Sequence, residues 1–266
     1  MSASAPGARG GAPLRVGFQR NTPPFSYAPA APFEPIGYSV DLARLVLAGV
    51  FGGTGSVPPL DAVEVTSSTR EGLLADGRID IECGSTTITP SRQLRCAFSR
   101  PIFRTSHRIA VKPGAETAGG ALRVVGIQGS TSQAALAARS DLGFAHSFVG
   151  VPSIGAALDA FVDDPRVDAM VADEVILRAL LRGRGAAAGT GLLDVRLGEE
   201  FYGFMMRKDD PEFVRAVDDA LTDVFASAAF PALLTSWFTD ELPGLGFGLG
   251  MEAETALLIG TGTFDE

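Results

Sequence analysis

Between residues 14 and 83 the hydrophobic pattern alternates between short apolar runs and helical spacing, and this constrains the fold more than any other feature. Leu14-Arg15-Val16-Gly17-Phe18 reads as a strand, and Asn21-Thr22-Pro23-Pro24 breaks it. Apolar residues at 42, 45, 46 and 50 then follow helical spacing, with Gly52-Gly53 as the stop. Ala62-Val63-Glu64-Val65 is a second strand. A short helix follows, with Ser68 or Thr69 as its N-cap and Leu73 and Leu74 facing inward. Ile79 to Cys83 is the next strand. The resulting β-α-β-α-β order predicts an α/β layer.

The same grammar returns after a break. Pro101 to Val111 reads as extended, and Lys112 to Gly120 as a loop of small residues. Val124 to Ile127 is a strand, Gly129-Ser130-Thr131-Ser132 a turn, and Gln133 to Arg139 an Ala-rich helix. Ile154–Phe161 and Glu174–Arg182 read as helices around an Ala169–Ala172 strand. Phe201 to Met206 reads as one apolar strand and Phe213 to Phe225 as a helix. This order predicts two lobes. Residues 13–101 and 205–266 form the first and 107–199 the second, with hinge crossings near 102–106 and 200–204 and a ligand cleft between the lobes.

Composition removes several functions. A net charge of −9 over 266 residues disfavours nucleic-acid binding, which needs clustered cations. No run of 18 apolar residues exists, so no membrane insertion by a helix is expected. Met1 to Pro13 has no hydrophobic core of a signal peptide; either a leader has been removed or the chain is cytosolic. Cys83 and Cys96 are the only cysteines, too few for a metal site, and they are either paired or two small buried hydrophobes. No metal or other cofactor is expected.

The chemistry concentrates at the end of the third strand. Thr89-Pro90 fits an N-cap followed by proline at the first helical position, which would fix Arg92 beside a Cys83–Thr87 strand end. A guanidinium there can take a carboxylate bidentately, with Ser85 and Thr87 offering hydroxyls from one strand face. The plainer alternative is an exposed arginine on a turn. Ser130 and Thr131 stand before a helix, where backbone N–H groups favour an anion, although any α/β protein caps helices with such residues. Asp173 could hold an ammonium group or cap the next helix. Arg20 and Arg70 each stand near a strand end and could reach a cleft or carry solvated charge. Taken together, these groups describe a clamp for an α-amino acid.

Several motifs, in order, carry a family likeness. They are Pro24-Phe25-Ser26-Tyr27, Ile36-Gly37-Tyr38-Ser39-Val40-Asp41-Leu42, Gly77-Arg78-Ile79-Asp80, and Thr87-Ile88-Thr89 with Arg92 and Phe98-Ser99. Over roughly residues 14 to 240 the chain resembles the family 3 periplasmic solute-binding proteins of amino-acid ABC transporters. Glu82-Cys83-Gly84-Ser85-Thr86-Thr87, Thr66-Ser67 with Arg70, and Tyr202-Gly203 with Met206-Arg207-Lys208-Asp209-Asp210-Pro211 resemble its glutamate/aspartate-binding branch. The tail beyond Trp237-Phe238 is loosely similar to that branch's C-terminal extension.

The resemblance implies a two-lobed type II periplasmic-binding fold that closes on an amino acid and delivers it to an ABC permease. It implies a monomer in an extracytoplasmic compartment, without its signal peptide. Position by position, it implies that Arg92 holds the α-carboxylate, with Thr87 and Ser130 or Thr131. Ser85, Thr87 and Asp173 would hold the α-ammonium. Arg70, Ser67 and Arg20 would receive an acidic side chain. The branch's second-lobe histidine is absent, since the corresponding stretch reads Val151-Pro152-Ser153-Ile154, and Arg20 stands one residue closer to Pro24-Phe25 than the branch pattern. Two other readings remain: a binder of a neutral polar amino acid such as glutamine, and an enzyme on the same fold resembling a cyclohexadienyl dehydratase. The enzyme would need a general acid or base among Glu71, Glu82, His107 and Asp173.

Overall fold

In the computed structural model of the chain, the described residues are 13–52, 57–115, 120–185 and 189–251. The expectations for residues 1–12, for Gly53, for part of the 112–120 loop and for the tail beyond 251 lie outside them. The chain divides into two units. Met1–Arg104, Phe201–Gly244 and Gly248–Glu266 form the first, and Thr105–Glu200 with Leu245–Phe247 the second.

In the first unit, β1 (Leu14–Gln19), β2 (Asn21–Thr22), β3 (Ser26–Tyr27), α1 (Tyr38–Gly52), β4 (Leu60–Val65), α2 (Arg70–Ala75), β5 (Ile81–Glu82), α3 (Pro90–Gln93) and β6 (Ala97–Phe98) follow in order. The second unit contributes β7 (Phe103–Val111, whose first two residues belong to the first unit), β8 (Leu122–Ile127), α4 (Thr131–Ala137), β9 (His146–Val151), α5 (Ile154–Asp163), β10 (Ala169–Asp173), α6 (Glu174–Gly183), β11 (Gly191–Leu192) and the start of β12 (Glu199–Tyr202). Returning to the first unit, the chain forms β13 (Met205–Met206), α7 (Pro211–Ala226) and α8 (Ala229–Leu234), continued by a π-helical turn over Thr235–Thr239.

The first sheet runs β4-β1-β5-β13-β6. β1 pairs in parallel with β4, from Leu14 opposite Leu60 to Gln19 opposite Val65, and with β5 through Val16 and Ile81. Parallel strands need crossovers, and α1 and α2 supply them. Phe25, Tyr38, Phe103, Tyr202 and Phe238 make an aromatic cluster with no ring more than 1% exposed. Its closest pair is Phe25 edge-on to Phe103, with centroids 4.8 Å apart. Such pairs add about 1 kcal/mol each beyond area burial.

The second sheet follows the order β11-β7-β10-β8-β9, with β12 also paired to β7. β8 runs parallel to β9 and β10, whereas β7 is antiparallel to β10 and sets His107 opposite Asp173. Ile109, Val111, Val124, Leu136, Ala169 and Val171 lie in its buried core. Among the described residues, no single helix is long and apolar enough to cross a membrane.

Two expectations change, and the open choice between paired cysteines and small buried hydrophobes falls to the second. The strand expected over Cys83–Thr87 stops at Glu82, because Gly84 lies against the Glu82 and Gln19 side chains and Thr87 bridges instead to Tyr202. An added Cβ on Gly84 would meet Glu82 Oε1 at 2.5 Å, so a larger residue would make the Glu82 carboxylate shift. The single apolar strand expected over Phe201–Met206 is two strands in different sheets, β12 and β13, divided at Gly203. Cys83 and Cys96 are free, buried thiols; Cys96 packs against Val65, Leu74, Ile79 and Met205.

Candidate functional site

In the first unit the helix start at Thr89-Pro90 forms as expected: the Thr89 hydroxyl accepts from the Arg92 N–H, with proline at the first position. This one-turn helix aims Arg92 back at the loop after β5, where Nη1 donates to the Thr87 carbonyl at 2.8 Å. Arg92 Nε lies 3.5 Å from Glu71 Oε1, and Glu71 also pairs with Arg95. The Arg92 side chain is 13% exposed. It is therefore held, half-screened, by groups that leave part of the guanidinium uncommitted.

Arg70 is placed differently. It begins α2, is only 4% exposed, and donates from Nη1 to Thr86 Oγ1 at 2.7 Å. Thr86 in turn donates to Glu82 Oε2 at 2.5 Å, and Glu82 is fully buried. Arg70 Nε and Glu82 Oε1 have no hydrogen-bond partner. Burial pushes the Arg70 pKa down and the Glu82 pKa up, while each charge favours the ionised form of the other. Thr69, expected as a possible cap of α2, makes no cap bond; its hydroxyl accepts from the Thr66 N–H instead.

Ser67 and Ser85 are joined by a residue that the sequence reading did not single out. Gln19 Nε2 donates to Ser67 Oγ at 3.4 Å, and Ser85 Oγ donates to Gln19 Oε1 at 3.2 Å. Arg20 is not brought to this group. Its guanidinium forks onto Glu64 at 3.0 and 2.7 Å and lies 4.9 Å from the Phe33 ring centre. Gln19 is the last residue of β1 and Arg20 lies in the bend after it, so only Gln19 continues the strand face that meets Ser67 and Ser85. The alternation was the available signal: Gln19 continues the face of Gly17.

In the second unit Ser130 is the N-cap of α4, its hydroxyl accepting from the Gln133 N–H at 3.1 Å, and Gly129 before it has a positive φ of 73°. Thr131 Oγ1 donates to Glu200 Oε2 at 3.1 Å. Asp173 begins α6 but makes no side-chain cap bond. It forms an ion pair with His107, Oδ1 lying 2.6 Å from Nδ1. Glu200 Oε1 lies 2.9 Å from Nε2 on the other edge of the same ring, and Ser132 Oγ is 3.1 Å from Nδ1. Burial alone would lower the His107 pKa, but the carboxylates of Asp173 and Glu200 together raise it to about 9.

His107, Asp173 and Glu200 also offer a nitrogen and two carboxylate oxygens within 4.8 Å of one another, which invites a metal reading. The geometry does not fit one ion. The two carboxylates flank opposite ring nitrogens, whereas a shared metal needs one lone pair and both oxygens converging at about 2 Å. Ion pairing of a protonated ring with the two carboxylates fits the distances better than a shared ion, although His107 Nε2 and Asp173 Oδ1 make no aligned hydrogen bond.

Residues 14–240 match the bacterial extracellular solute-binding proteins, family 3. The L-glutamate/L-aspartate-binding protein of Pseudomonas aeruginosa is 31% identical over 259 residues, covering 94% of this chain and 85% of that one. The glutamate/aspartate import solute-binding protein of Escherichia coli is 29% identical, covering 89% and 80%. Among solved structures, a substrate-binding protein of an ABC uptake transporter from Streptococcus pneumoniae with bound histidine superposes with a TM-score of 0.73 at 20% identity, covering 86% of this chain and 93% of that one. The fold is thus the type II periplasmic-binding fold. The chain belongs to the bacterial extracellular solute-binding proteins, family 3, and is an extracytoplasmic solute-binding protein.

Proposed function

We propose that the chain binds an acidic amino acid, glutamate or aspartate, and hands it to the permease of its transporter. Arg70 carries this reading. A guanidinium 4% exposed, with one hydrogen bond and an unpartnered Nε, is a buried cation whose donors are incompletely used. Leaving such donors unsatisfied costs about 1–3 kcal/mol, and a ligand carboxylate removes that cost. The names of the Pseudomonas and Escherichia relatives point to the same ligands.

In this reading Arg92 and Thr87, with Ser130 or Thr131, take the α-carboxylate, and Asp173 with Ser85 takes the α-ammonium. Arg70 and Ser67 take the side-chain carboxylate. Arg20 drops out, because its guanidinium is committed to Glu64. A neutral amide side chain is the second reading, favoured by Gln19, whose uncharged amide joins Ser67 and Ser85.

Calorimetric titration with all twenty amino acids separates the two. Tight binding of glutamate or aspartate, with glutamine at least tenfold weaker, is the expected result. Tight glutamine binding with no heat from either acid would replace the first reading by the second.

A further inference from the structure

The roles assigned above use neither His107 nor Glu200, yet both belong to the same cluster as Asp173. Exposure across that cluster is graded. The imidazole is 1% exposed, while the side chains of Asp173 and Glu200 are 14% and 11% exposed. The cation is thus the most buried member, and the two acidic side chains keep a small exposed part although Asp173 Oδ1 is itself buried. We propose that Asp173 and Glu200 together form the subsite for the ligand's α-ammonium group, and that His107 is its positioning residue, bridging the two carboxylates and setting the subsite's net charge at that of one anion. The proposal rests on the assignment of Asp173 to the α-ammonium.

The protonation state follows from geometry. A neutral imidazole has one N–H and one lone pair, so one of its nitrogens would face a carboxylate oxygen lone pair to lone pair. At 2.6 and 2.9 Å each nitrogen faces a carboxylate oxygen as an ion pair rather than as an aligned hydrogen bond, and only an imidazolium avoids a lone-pair clash at both contacts. Two carboxylates crowded without a cation would not both ionise; one would take up a proton. With the imidazolium between them both stay charged, and one negative charge is left over for one ammonium group. The placement is rigid. The antiparallel register puts His107 opposite Asp173, and His107 N and O bond to Gly198 O and Leu197 N, which fixes the segment leading to Glu200. Thr131 donates to the second oxygen of Glu200.

The charged groups acting on His107 are Asp173 from β10 and Glu200 from β12; α4 presents the uncharged Ser132. Arg108, its neighbour along β7, points away, donating to the Leu193 carbonyl and lying 3.6 Å from Glu174.

Charge counting makes the test. Glutamate is titrated by calorimetry into the wild-type protein, Glu200→Gln, His107→Gln and the double variant. Glu200→Gln leaves Asp173 cancelled by the imidazolium, and affinity should fall at least tenfold. In His107→Gln the carboxylates share a proton that the ammonium must displace. Binding should then release a proton, detected in buffers of different ionisation heat, and affinity should rise from pH 5.5 to 7.5; the wild type should show neither effect. The double variant regains a single negative charge and should bind at least threefold tighter than Glu200→Gln.

Glu200→Gln within twofold of wild type, or a double variant weaker than both single ones, would overturn the proposal. A measurement needing no variant guards against misfolding. The chain has two histidines, so ring nitrogen-15 spectra are simple, and His107 should be doubly protonated at pH 7 with and without glutamate. A neutral tautomer there sinks the idea. If the wild type ignores both acidic amino acids but binds another, the acidic-ligand reading fails alone, and the same variants test the subsite with that amino acid.

Discussion

The two units each bury an ion cluster, and the clusters are built on opposite plans. In the first unit Arg70 faces Glu82 through Thr86, and one polar atom on each side is left without a partner. In the second unit His107 sits between Asp173 and Glu200, and both ring nitrogens lie within 3 Å of a carboxylate oxygen. The first cluster has an unfilled demand for an anion, with a cation that never loses its proton. The second carries one cation between two carboxylates, a net charge of one anion, and its cation titrates. A ligand carboxylate should therefore fill the first and a ligand ammonium the second, while pH should act on the second alone by taking its cation's proton.

The largest effect expected from this contrast is on Arg70→Leu. Removing one member of a buried charged pair costs several kcal/mol, much of it from stranding the partner. Here the ligand carboxylate and Glu82 would both lose their cation. Glutamate affinity should fall by roughly 100-fold or more by calorimetry. Retention of wild-type affinity would mean that Arg70 is only a counter-ion for Glu82, and the difference drawn between the clusters would vanish.

The second cluster should show itself in stability against pH. The folded-state pKa of His107 lies at about 9, above the ordinary value of 6.5, so the folded protein binds this proton more tightly. The associated stabilisation is complete below pH 6.5 and is lost as pH rises through 9, up to roughly 3 kcal/mol. Urea unfolding at pH 6.5, 8 and 9.5 should follow that decline in the wild type. His107→Gln should lack the decline that His107 contributes between pH 6.5 and 9. Parallel curves for the two proteins would refute the imidazolium.

Much of the scaffold behind this contrast was legible from residue order. Period changes located β1, α1, β4, α5, β10, α6 and α7 within a few residues, because each is a local pattern of apolar spacing and stop signals. The Thr89-Pro90 start of α3 was equally local. Long-range partners were not. Glu82 and Arg70 meet across a sheet and a helix, and His107 and Asp173 meet only through the antiparallel register of β7 and β10. Asp173 read most simply as a helix cap, and nothing nearby in sequence shows that its oxygen is taken by a histidine 66 residues earlier. The motifs carried the family; the partners of their charged residues came from the fold.

A smaller effect is expected at Gln19, which tests whether the first cluster extends to Ser67 and Ser85. Gln19 is 8% exposed and bonds both hydroxyls, at 3.4 and 3.2 Å. Each neutral hydrogen bond contributes about 1 kcal/mol net, so Gln19→Ala should weaken glutamate binding by about three- to tenfold. Gln19→Leu, which keeps volume but not hydrogen bonding, should do the same. If Leu binds as wild type and Ala does not, packing rather than the amide orders this group.

The smallest effect belongs to Arg20, and its value as a test lies in that smallness. The sequence places it beside Gln19, and its charge made it a candidate for an acidic side chain. It lies in the bend after β1, off the face that Gln19 continues, where Glu64 takes its fork at 3.0 and 2.7 Å and the pair is 30% and 43% exposed. Exposed pairs of this kind contribute little and are screened by salt. Arg20→Ala should therefore leave glutamate affinity within twofold and lower stability only slightly, less still in 1 M salt. A loss of affinity approaching that of Arg70→Leu would show that Arg20 leaves Glu64 when ligand binds. The first cluster would then recruit a second cation, and the contrast between a fixed arginine site and a titrating histidine site would become one between two arginines and one histidine.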